Sequence, residues 1–456
     1  MRLQKAPLLA ALTFPLLVTA LAPAQERPLP PITLKETVTS LGRAPEGWML
    51  LASKLIASPD LAHVGYAATK DGEGILMMDG KELARFECKE IKRLVFSPDS
   101  TRLACVVETK DYHSFAVVDG VVGPLYSSIG YLGFCFRPDS KSFAYTARDR
   151  LRNDAIVIDN KVFRTYVGLG DFVYSPDSKH FAYVANFGLP ISGLYRWYVV
   201  RDSRRRGRSV ESFLSHLTYS PDSKRFAYVV EADKLIVDGK EHPRYATVKD
   251  VTFSPDSKRL VHVATKGSRE CIVLDGVEGP LHKYVTSAPV FSPDSARIAY
   301  SAMESKSAFV LLDGIEGKRY SEVTAPVFSP DSNHLAYGAK DKSGAFVVLD
   351  GNEGSRYARV FAPAFSPDSV HLAFVAETRG QALLVVDGME STNRFASSVG
   401  HPPAYWMDAL DRDTWKRVHF TSPTTVQAVF TRQPGPEFFR LEVQILPVSI
   451  SEEEKP

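Results

Sequence analysis

The chain has 456 residues, of which 44% are hydrophobic and 24% are charged, which is a normal composition for a soluble globular protein. Its formal net charge is +2, and Arg2 and Lys5 of the first 24 residues account for both excess positive charges. The remainder is electrically balanced. This balance argues against a nucleic-acid binder and against a protein held electrostatically on anionic lipid.

Residues 1–24 have the pattern of a signal peptide. Arg2 and Lys5 precede the apolar stretch 6–21, and the small residues 22–24 form a cleavage site. The apolar stretch contains two prolines and is short for a membrane span, so a cleaved signal is favoured over a retained anchor. The sequence therefore predicts an exported protein, periplasmic or secreted, with no membrane span in the mature chain.

The remainder of the chain is dominated by a repeat. The tripeptide Ser-Pro-Asp, or a close relative, occurs nine times at spacings of 34 to 45 residues and is followed each time by a short apolar strand. The aspartates are Asp60, Asp99, Asp139, Asp177, Asp222, Asp256, Asp294, Asp331 and Asp368. A period of this length filled with strand-like segments predicts an all-β fold, a β-propeller of four-stranded antiparallel blades.

The unit from Val290 to Tyr320 shows the predicted blade most clearly. Its parts are Val290-Phe291, the turn 292–295, the strand 297–301, the strand 309–312, the turn Asp313-Gly314, and a fourth strand that begins at 318–320. Proline presets φ in the first turn, where the aspartate can accept hydrogen bonds from nearby amides. Asp-Gly favours the positive φ that tight hairpins need.

Two columns of aromatic residues recur, one three residues before eight of the nine turn aspartates and the other six residues after seven of them, with Cys105 and His262 as exceptions in the second column. Repetition at one blade position predicts packing between neighbouring blades rather than a binding stripe. His262 falls in the second column, so we expect a satisfied core residue and not a ligand. The four cysteines, Cys88, Cys105, Cys135 and Cys271, are expected to be buried apolar filler more than disulfides. No metal site and no cofactor are predicted.

The two ends of the chain are expected to close the ring together. Residues 46–53 are predicted to pair with strands drawn from 403–446, which gives nine repeats plus one hybrid closing blade. The division is then a signal peptide over 1–24, an N-terminal extension over 25–45, a propeller over 46–446 and a polar tail over 447–456. Two smaller rings or an incompletely closed ring are the alternatives.

The motif Phe-Ser-Pro-Asp-Ser-Lys-Arg-Leu/Phe-Ala-Tyr, whose part from Asp to Tyr is clear at 222–228, resembles the WD-like propeller repeats of bacterial exported proteins, as in the TolB-type propeller. The resemblance covers roughly residues 50–400 and implies the propeller fold. Two features set this chain apart. Serine regularly follows Pro-Asp where that family has glycine, and each unit carries an Asp-Gly-x-Glu-Gly-like turn, as at 275–279.

Two irregular segments of the fourth unit are candidate binding sites. The long Gly/Pro loop 186–196 is predicted either to hold a partner or, about equally, to pack on its neighbours. Its candidate binding residues are Phe187, Leu189, Ile191, Tyr195 and Arg196. An arginine cluster follows. It could bind an anionic group, but a solvated turn is the favoured interpretation. Its members are Arg201, Arg204, Arg205, Arg206 and Arg208.

The functional prediction is a noncatalytic exported propeller that binds a protein or a cell-surface polymer through its variable loops. The chain lacks a Gly-x-Ser-x-Gly elbow, a His-Glu-x-x-His motif and a phosphate-binding glycine loop. The alternative is a hydrolase or lyase with a site at the channel mouth, for which His113, Asp149 and Asp154 are candidates without assigned roles. A purely structural module is the third possibility, and the oligomeric state is left open.

Overall fold

A computed structural model of the chain describes residues 31–187, 196–202, 204–210, 214–396, 418–432 and 437–448. These residues form 44 strands arranged in ten antiparallel sheets, and none of them is helical. Within these ranges no helix has the length and apolarity needed to cross a bilayer. The predicted signal peptide lies outside the described residues.

Blades 1 to 3 each contain four strands in chain order. Blade 1 comprises β2 (Met49–Ala57), β3 (Val64–Lys70), β4 (Glu73–Met78) and β5 (Lys81–Glu87). Blade 2 comprises β6 (Glu90–Phe96), β7 (Leu103–Glu108), β8 (Ser114–Val118) and β9 (Val121–Val122). Blade 3 comprises β10 (Ser128–Phe136), β11 (Phe143–Arg148), β12 (Asp154–Ile158) and β13 (Lys161–Tyr166).

Blades 4 to 6 repeat this arrangement. Blade 4 comprises β14 (Gly168–Tyr174), β15 (Phe181–Asn186), β16 (Trp197–Arg201) and β17 (Arg204–Val210). Blade 5 comprises β18 (Leu214–Tyr219), β19 (Phe226–Val230), β20 (Lys234–Val237) and β21 (Lys240–Arg244). Blade 6 comprises β22 (Thr247–Phe253), β23 (Leu260–Lys266), β24 (Arg269–Leu274) and β25 (Val277–Glu278).

In blades 7 to 9 the first strand is split in two. Blade 7 comprises β26 (Tyr284–Val285), β27 (Val290–Phe291), β28 (Ile298–Glu304), β29 (Ser307–Leu312) and β30 (Ile315–Glu316). Blade 8 comprises β31 (Glu322–Val323), β32 (Val327–Phe328), β33 (Leu335–Asp341), β34 (Gly344–Leu349) and β35 (Asn352–Glu353). Blade 9 comprises β36 (Arg359–Val360), β37 (Ala364–Phe365), β38 (Leu372–Thr378), β39 (Gln381–Val386), β40 (Met389–Glu390) and β41 (Phe395–Ala396). Pro289, Pro326 and Pro363 stand at the breaks, because proline has no amide hydrogen for the ladder.

The burial of each blade follows its strand order. The second and third strands are almost continuously buried, as in β39, because both of their faces meet neighbouring blades. The fourth strands are exposed, as in β13, and form the outer rim. First strands of several neighbouring blades contact one another, so they lie innermost.

A hydrophobic cluster fills every interface between consecutive blades. The aromatic columns lie in these clusters. Tyr66, Tyr145, Tyr183 and Tyr300 are among the largest fully buried side chains. The prediction that the columns pack between blades is confirmed. All four cysteines are free; three are buried and Cys135 is partly buried.

The closing blade joins the two ends of the chain. It orders β1 (Ile32–Arg43), β44 (Glu437–Pro447), β43 (Thr425–Arg432) and β42 (Val418–Ser422), with β1 on the outside. The hybrid closing blade is confirmed, but the pairing predicted for residues 46–53 is wrong. Met49–Ala57 pairs with β3 as the first strand of blade 1, because Glu46-Gly47 forms a turn rather than part of a strand.

Contacts on both sides of the closing blade complete the ring. On the side of blade 9, Phe395 stacks on Phe430 with ring centroids 4.3 Å apart. On the side of blade 1, Tyr66 lies 4.8 Å from Phe438, and its hydroxyl donates to the carbonyl of Arg43 at 2.9 Å. Apolar clusters surround both contacts. The described residues therefore form one ring of ten blades rather than two smaller rings.

Candidate functional site: the loop face

The ring has two unlike faces. We call the side with the Ser-Pro-Asp and Asp-Gly turns the turn face. The two turns of a blade lie together there. In blade 1, for example, Asp79 of the Asp-Gly hairpin accepts a hydrogen bond from the amide of Val64, which follows the first turn. We call the opposite side the loop face. It carries the connections between second and third strands and the connections from each blade to the next.

On the turn face, a hydrogen bond links each repeat to the next. The amide of each turn aspartate donates to the hydroxyl of the serine that follows Pro-Asp in the next blade, at 2.9–3.2 Å. Eight such bonds run round the described ring. The serines are Ser100, Ser140, Ser178, Ser223, Ser257, Ser295, Ser332 and Ser369.

A second set of side chains strengthens the turn face. Arg225, for example, donates to Asp238 of its own hairpin at 2.9 Å and to the carbonyl of Lys258 in blade 6 at 2.8 Å. Its guanidinium also lies 5.0 Å from the centre of the Phe253 ring. Histidine replaces arginine in four blades, as in the pair His371 and Asp387. The turn face is therefore occupied by bonds that hold the blades together.

The loop face contains an open cleft of about 520 Å³ between blades 7 and 8. Three segments form it: the connection from β28 to β29, the connection from β30 to β31, and the connection from β33 to β34. Its lining includes Lys306, Ser307, Arg319, Asp341, Lys342 and Ser343. None of these residues was a sequence candidate.

The cleft is positively charged. Lys306 and Lys342 are exposed, and within the described residues neither ammonium group has an acidic partner. Arg319 donates to Glu316 at 2.6 Å and lies over the Phe309 ring at 4.8 Å. The single carboxylate in the lining, Asp341, has a lowered pKa because the Ser343 hydroxyl and amide donate to it.

The floor of the cleft is rigid. Tyr320 is buried, bridges to Ala308, and donates its hydroxyl to Glu353 of blade 8 at 3.0 Å. Burial raises the pKa of Tyr320. Glu353 has its pKa lowered to about 2 because Lys318 and Arg356 donate to it. This interblade contact explains the glutamate of the Asp-Gly-x-Glu-Gly turn. The fourth strand here is Ile315–Glu316, so the strand predicted to begin at 318–320 is wrong.

The long loop of blade 4 is described only at its two ends. Phe187 is half-buried, with its ring against Tyr166 and Tyr198 at 5.3 and 5.5 Å. Its amide donates to the carbonyl of Arg196 at 3.1 Å. Leu189, Ile191 and Tyr195 lie outside the described residues. The binding role of this loop therefore stays a prediction.

The arginine cluster forms a strand and not the favoured solvated turn. Arg204 to Val210 constitute β17, the outermost strand of blade 4. Arg201 lies in β16, pairs with Arg204, and places its guanidinium 5.1 Å from the Tyr219 ring centre. The anion-binding role of Arg204, Arg205, Arg206 and Arg208 also stays a prediction.

The three candidates for an enzymatic site are held by local structural bonds. Asp149 accepts hydrogen bonds from the amides of Leu151 and Asn153, each at 2.8 Å. Asp154 is buried and binds Arg148 through both oxygens, at 2.6 and 3.1 Å. The backbone of His113 pairs across a tight turn with Thr109. Nothing in these contacts gives the three residues a shared function.

One group on the inner strands has the composition of a catalytic triad without its geometry. Ser215 contacts Nδ1 of His216 at 2.8 Å, but Asp171 accepts from the His216 amide at 2.9 Å and not from its ring. Burial raises the pKa of Asp171. In a catalytic triad the carboxylate accepts a hydrogen bond from the imidazole ring and orients it. This group lacks that hydrogen bond.

The sequence did contain a signal for the cleft. Lys-Ser occurs at the same connection in units 7 and 8, before Ala-Phe at 308–309 and before Gly-Ala-Phe at 344–346. It is absent from that connection in the other units. Repetition in two adjacent units places these lysines on either side of one interface.

The ring of four-stranded antiparallel blades places the chain in the β-propeller class. No protein-family model matches it, and no curated protein matches it. Among solved structures it is similar to one titled "Crystal structure of the eukaryotic initiation factor", with 13% identity, a TM-score of 0.48, and coverage of 68% of this chain and 87% of that chain.

Two further solved structures are also similar. The structure of the Dos1 propeller has 13% identity and a TM-score of 0.34, and the match covers 54% of this chain and 74% of that one. TolB from Acinetobacter baumannii has 13% identity and a TM-score of 0.28, with coverage of 51% and 63%. The assignment to the class rests on the sheet order and interfaces of the chain itself, since similarities of this size say nothing about binding or activity.

Proposed function

We propose that the protein is an exported, noncatalytic β-propeller that binds a protein or a cell-envelope polymer through its loop face. The difference between the two faces carries this proposal. On the turn face, the repeated amides and side chains are already used in bonds between blades. On the loop face, the connections vary from blade to blade and leave an open, charged cleft.

The scaffold suits such a role. Each blade is fixed by a packed interface on either side, so connections of different length and charge are presented from a rigid ring. Binding residues commonly lie on loops positioned in this way. The signal-like segment 1–24 supports export.

The test compares one change on each face. In the loop-face variant, residues 188–195 are replaced by Asn-Gly, which joins Phe187 to Arg196 across an existing backbone hydrogen bond. A second loop-face variant is Lys342→Glu, and the turn-face control is Lys224→Gln. Each protein is used to capture binding partners from a cell-envelope extract, and circular dichroism checks the fold.

We expect at least one loop-face variant to lose a partner that the wild type and the turn-face control both retain. Equal capture by all four proteins, or loss in the control alone, would contradict binding through this face.

A further inference from the structure

We propose that the cleft between blades 7 and 8 binds a polysaccharide that carries carboxylate groups, such as a polyuronate. The inference rests on the proposed function and names the ligand class of that face. It starts from Lys306 and Lys342, which come from equivalent connections of adjacent blades and face one open cleft of about 520 Å³.

The charges in the cleft favour an anionic ligand. Three cations line it against one carboxylate, and that carboxylate already lies 3.6 Å from Arg356. Two other lysines of this face do have acidic partners: Lys266 pairs with Glu278 at 2.7 Å, and Lys340 pairs with Glu322 at 3.3 Å. Unpaired ammonium groups in a concave site are available to ligand carboxylates.

The hydroxyl groups favour a sugar. Ser307, Ser321 and Ser343 lie beside the cations in the lining. The Ser321 and Ser343 hydroxyls already donate to the Lys340 carbonyl and to Asp341, so toward a sugar hydroxyl they are acceptors. Asp341 adds an acceptor for sugar hydroxyls. A carboxylate in the lining also disfavours a dense polyanion and tolerates one whose charges are separated by whole sugar rings.

The cleft gives little support to a nucleic acid. Single-stranded binders stack bases on exposed aromatic rings. The aromatic ring in this lining, Tyr320, is 5% exposed, and its hydroxyl is held by Glu353. With a formal net charge of only +2, the chain also lacks the general positive charge of a nucleic-acid binder.

The walls are preorganised, which reduces the ordering that binding requires. Ser321 donates its hydroxyl to the carbonyl of Lys340 at 2.7 Å, tying the blade connection to β33. Arg356 donates to the Ser343 hydroxyl at 3.0 Å. The exposed side chains of Lys306 and Lys342 are then the main groups that binding would have to order.

The experiment titrates the full mature chain with oligogalacturonate by calorimetry at low ionic strength. The double variant Lys306→Gln, Lys342→Gln is compared with the turn-face double variant Lys224→Gln, Lys258→Gln, which changes the net charge equally. We expect the cleft variant to bind at least about tenfold more weakly, since each ion pair with a ligand carboxylate is lost. The control should match the wild type.

Three further probes separate the ligand classes: a neutral glucan, poly-glutamate and single-stranded DNA. Weaker binding of all three than of oligogalacturonate supports the proposal. Equal binding of the neutral glucan, poly-glutamate or DNA would overturn it, as would an equal loss in the turn-face control. If oligogalacturonate does not bind while the loop-face variants still lose an envelope partner, this inference fails and the proposed function stands.

Discussion

The serine after each Pro-Asp is the residue that most clearly ties sequence to architecture. All eight bonded serines have positive φ, between 61° and 67°. Glycine adopts this backbone conformation without strain, whereas for other residues it costs about 1 kcal/mol or more. Serine is nonetheless present because its hydroxyl accepts the amide of the preceding blade. Each serine therefore combines a strained backbone conformation with a hydrogen bond between two blades.

Ser257 tests this exchange. Ser257→Ala removes the acceptor of the Asp222 amide and keeps the unfavourable φ of 65°, so we expect the free energy of unfolding to fall by about 1–2 kcal/mol. Ser257→Gly removes the same acceptor but relieves the backbone, so its loss should be smaller. Chemical denaturation measures both. An alanine variant as stable as the wild type would show that the bond contributes nothing.

His262 is a different case, because the predicted satisfied core histidine is buried without hydrogen bonds. It is 1% exposed, and neither ring nitrogen has a partner among the described residues. Burial, aided by the charge of His242, lowers its pKa to about 4. The interblade column holds tyrosine or phenylalanine in most other repeats, so histidine is a poor filler here.

His262→Phe is therefore expected to stabilise the protein, and increasingly so in acid. Between pH 6.5 and about 4 the unfolded histidine takes up a proton that the folded one does not, so wild-type stability falls as the pH falls. At about 1.4 kcal/mol per pKa unit, this contribution reaches at most about 3 kcal/mol. Unfolding curves at pH 7 and pH 4.5 measure the difference between the two proteins. A gap that does not widen in acid contradicts the assignment.

Much of the residue-scale chemistry could be predicted from the sequence. The turn aspartates accept local amides as expected; Asp256, for example, accepts from the Lys258 amide at 3.1 Å. The Asp-Gly hairpins have positive φ at both positions, as at Asp275 and Gly276. The role of the following serine could not be predicted, because its partner lies in another repeat about 35 to 46 residues away.

At the scale of the strand, whether the sequence predicts a strand depends on how near in the chain its pairing strand lies. Second and third strands are continuous apolar runs and pair within one repeat, so the sequence located them. The twelve-residue strand β1 was not recognised, since Glu36 and other polar residues interrupt its apolar positions and its partner β44 lies at the far end of the chain. The cleft was missed for a related reason: its charge depends on which lysines find acidic neighbours.

The contact of β1 with blade 1 depends on a close approach at Gly42. A Cβ there would lie 2.4 Å from the backbone nitrogen of Gly80, and φ is +109°. Gly42→Ala should therefore destabilise the ring by about 2–4 kcal/mol, from steric overlap added to backbone strain. Gly276→Ala has a similar φ problem but meets no atoms within 4 Å, and should lose only about 1 kcal/mol. Thermal unfolding compares the two; equal losses would show that the close approach is unimportant.

At the scale of the whole molecule, ten small sheets stabilise one another around a closed ring. The repeat count predicted this arrangement, and the ten interfaces confirm it. What the count could not predict is which terminal strand completes the last blade. The hybrid sheet joins segments nearly 400 residues apart, where periodic spacing gives no information.

Removing β1 is expected to weaken the entire ring. A chain that begins at Ala44 loses the eleven residue pairs between β1 and β44. It also loses the hydrogen bonds that the amides of Thr392 and Asn393 donate to Glu36. We expect a lower melting temperature and self-association through the exposed edge of β44. A chain that begins at Pro31 keeps the strand and serves as the control. Identical melting and elution of the two chains would refute a closing role for β1.

The position of β1 in the chain also affects when the ring can close during folding. Among the described strands, a ribosome makes β1 first and its three partners last, so β1 waits unpaired until those partners have been made. Contacts of such separation form slowly. Until the final strands emerge, the nascent chain has one sheet missing and two uncovered apolar surfaces, and it should depend on a chaperone during that interval.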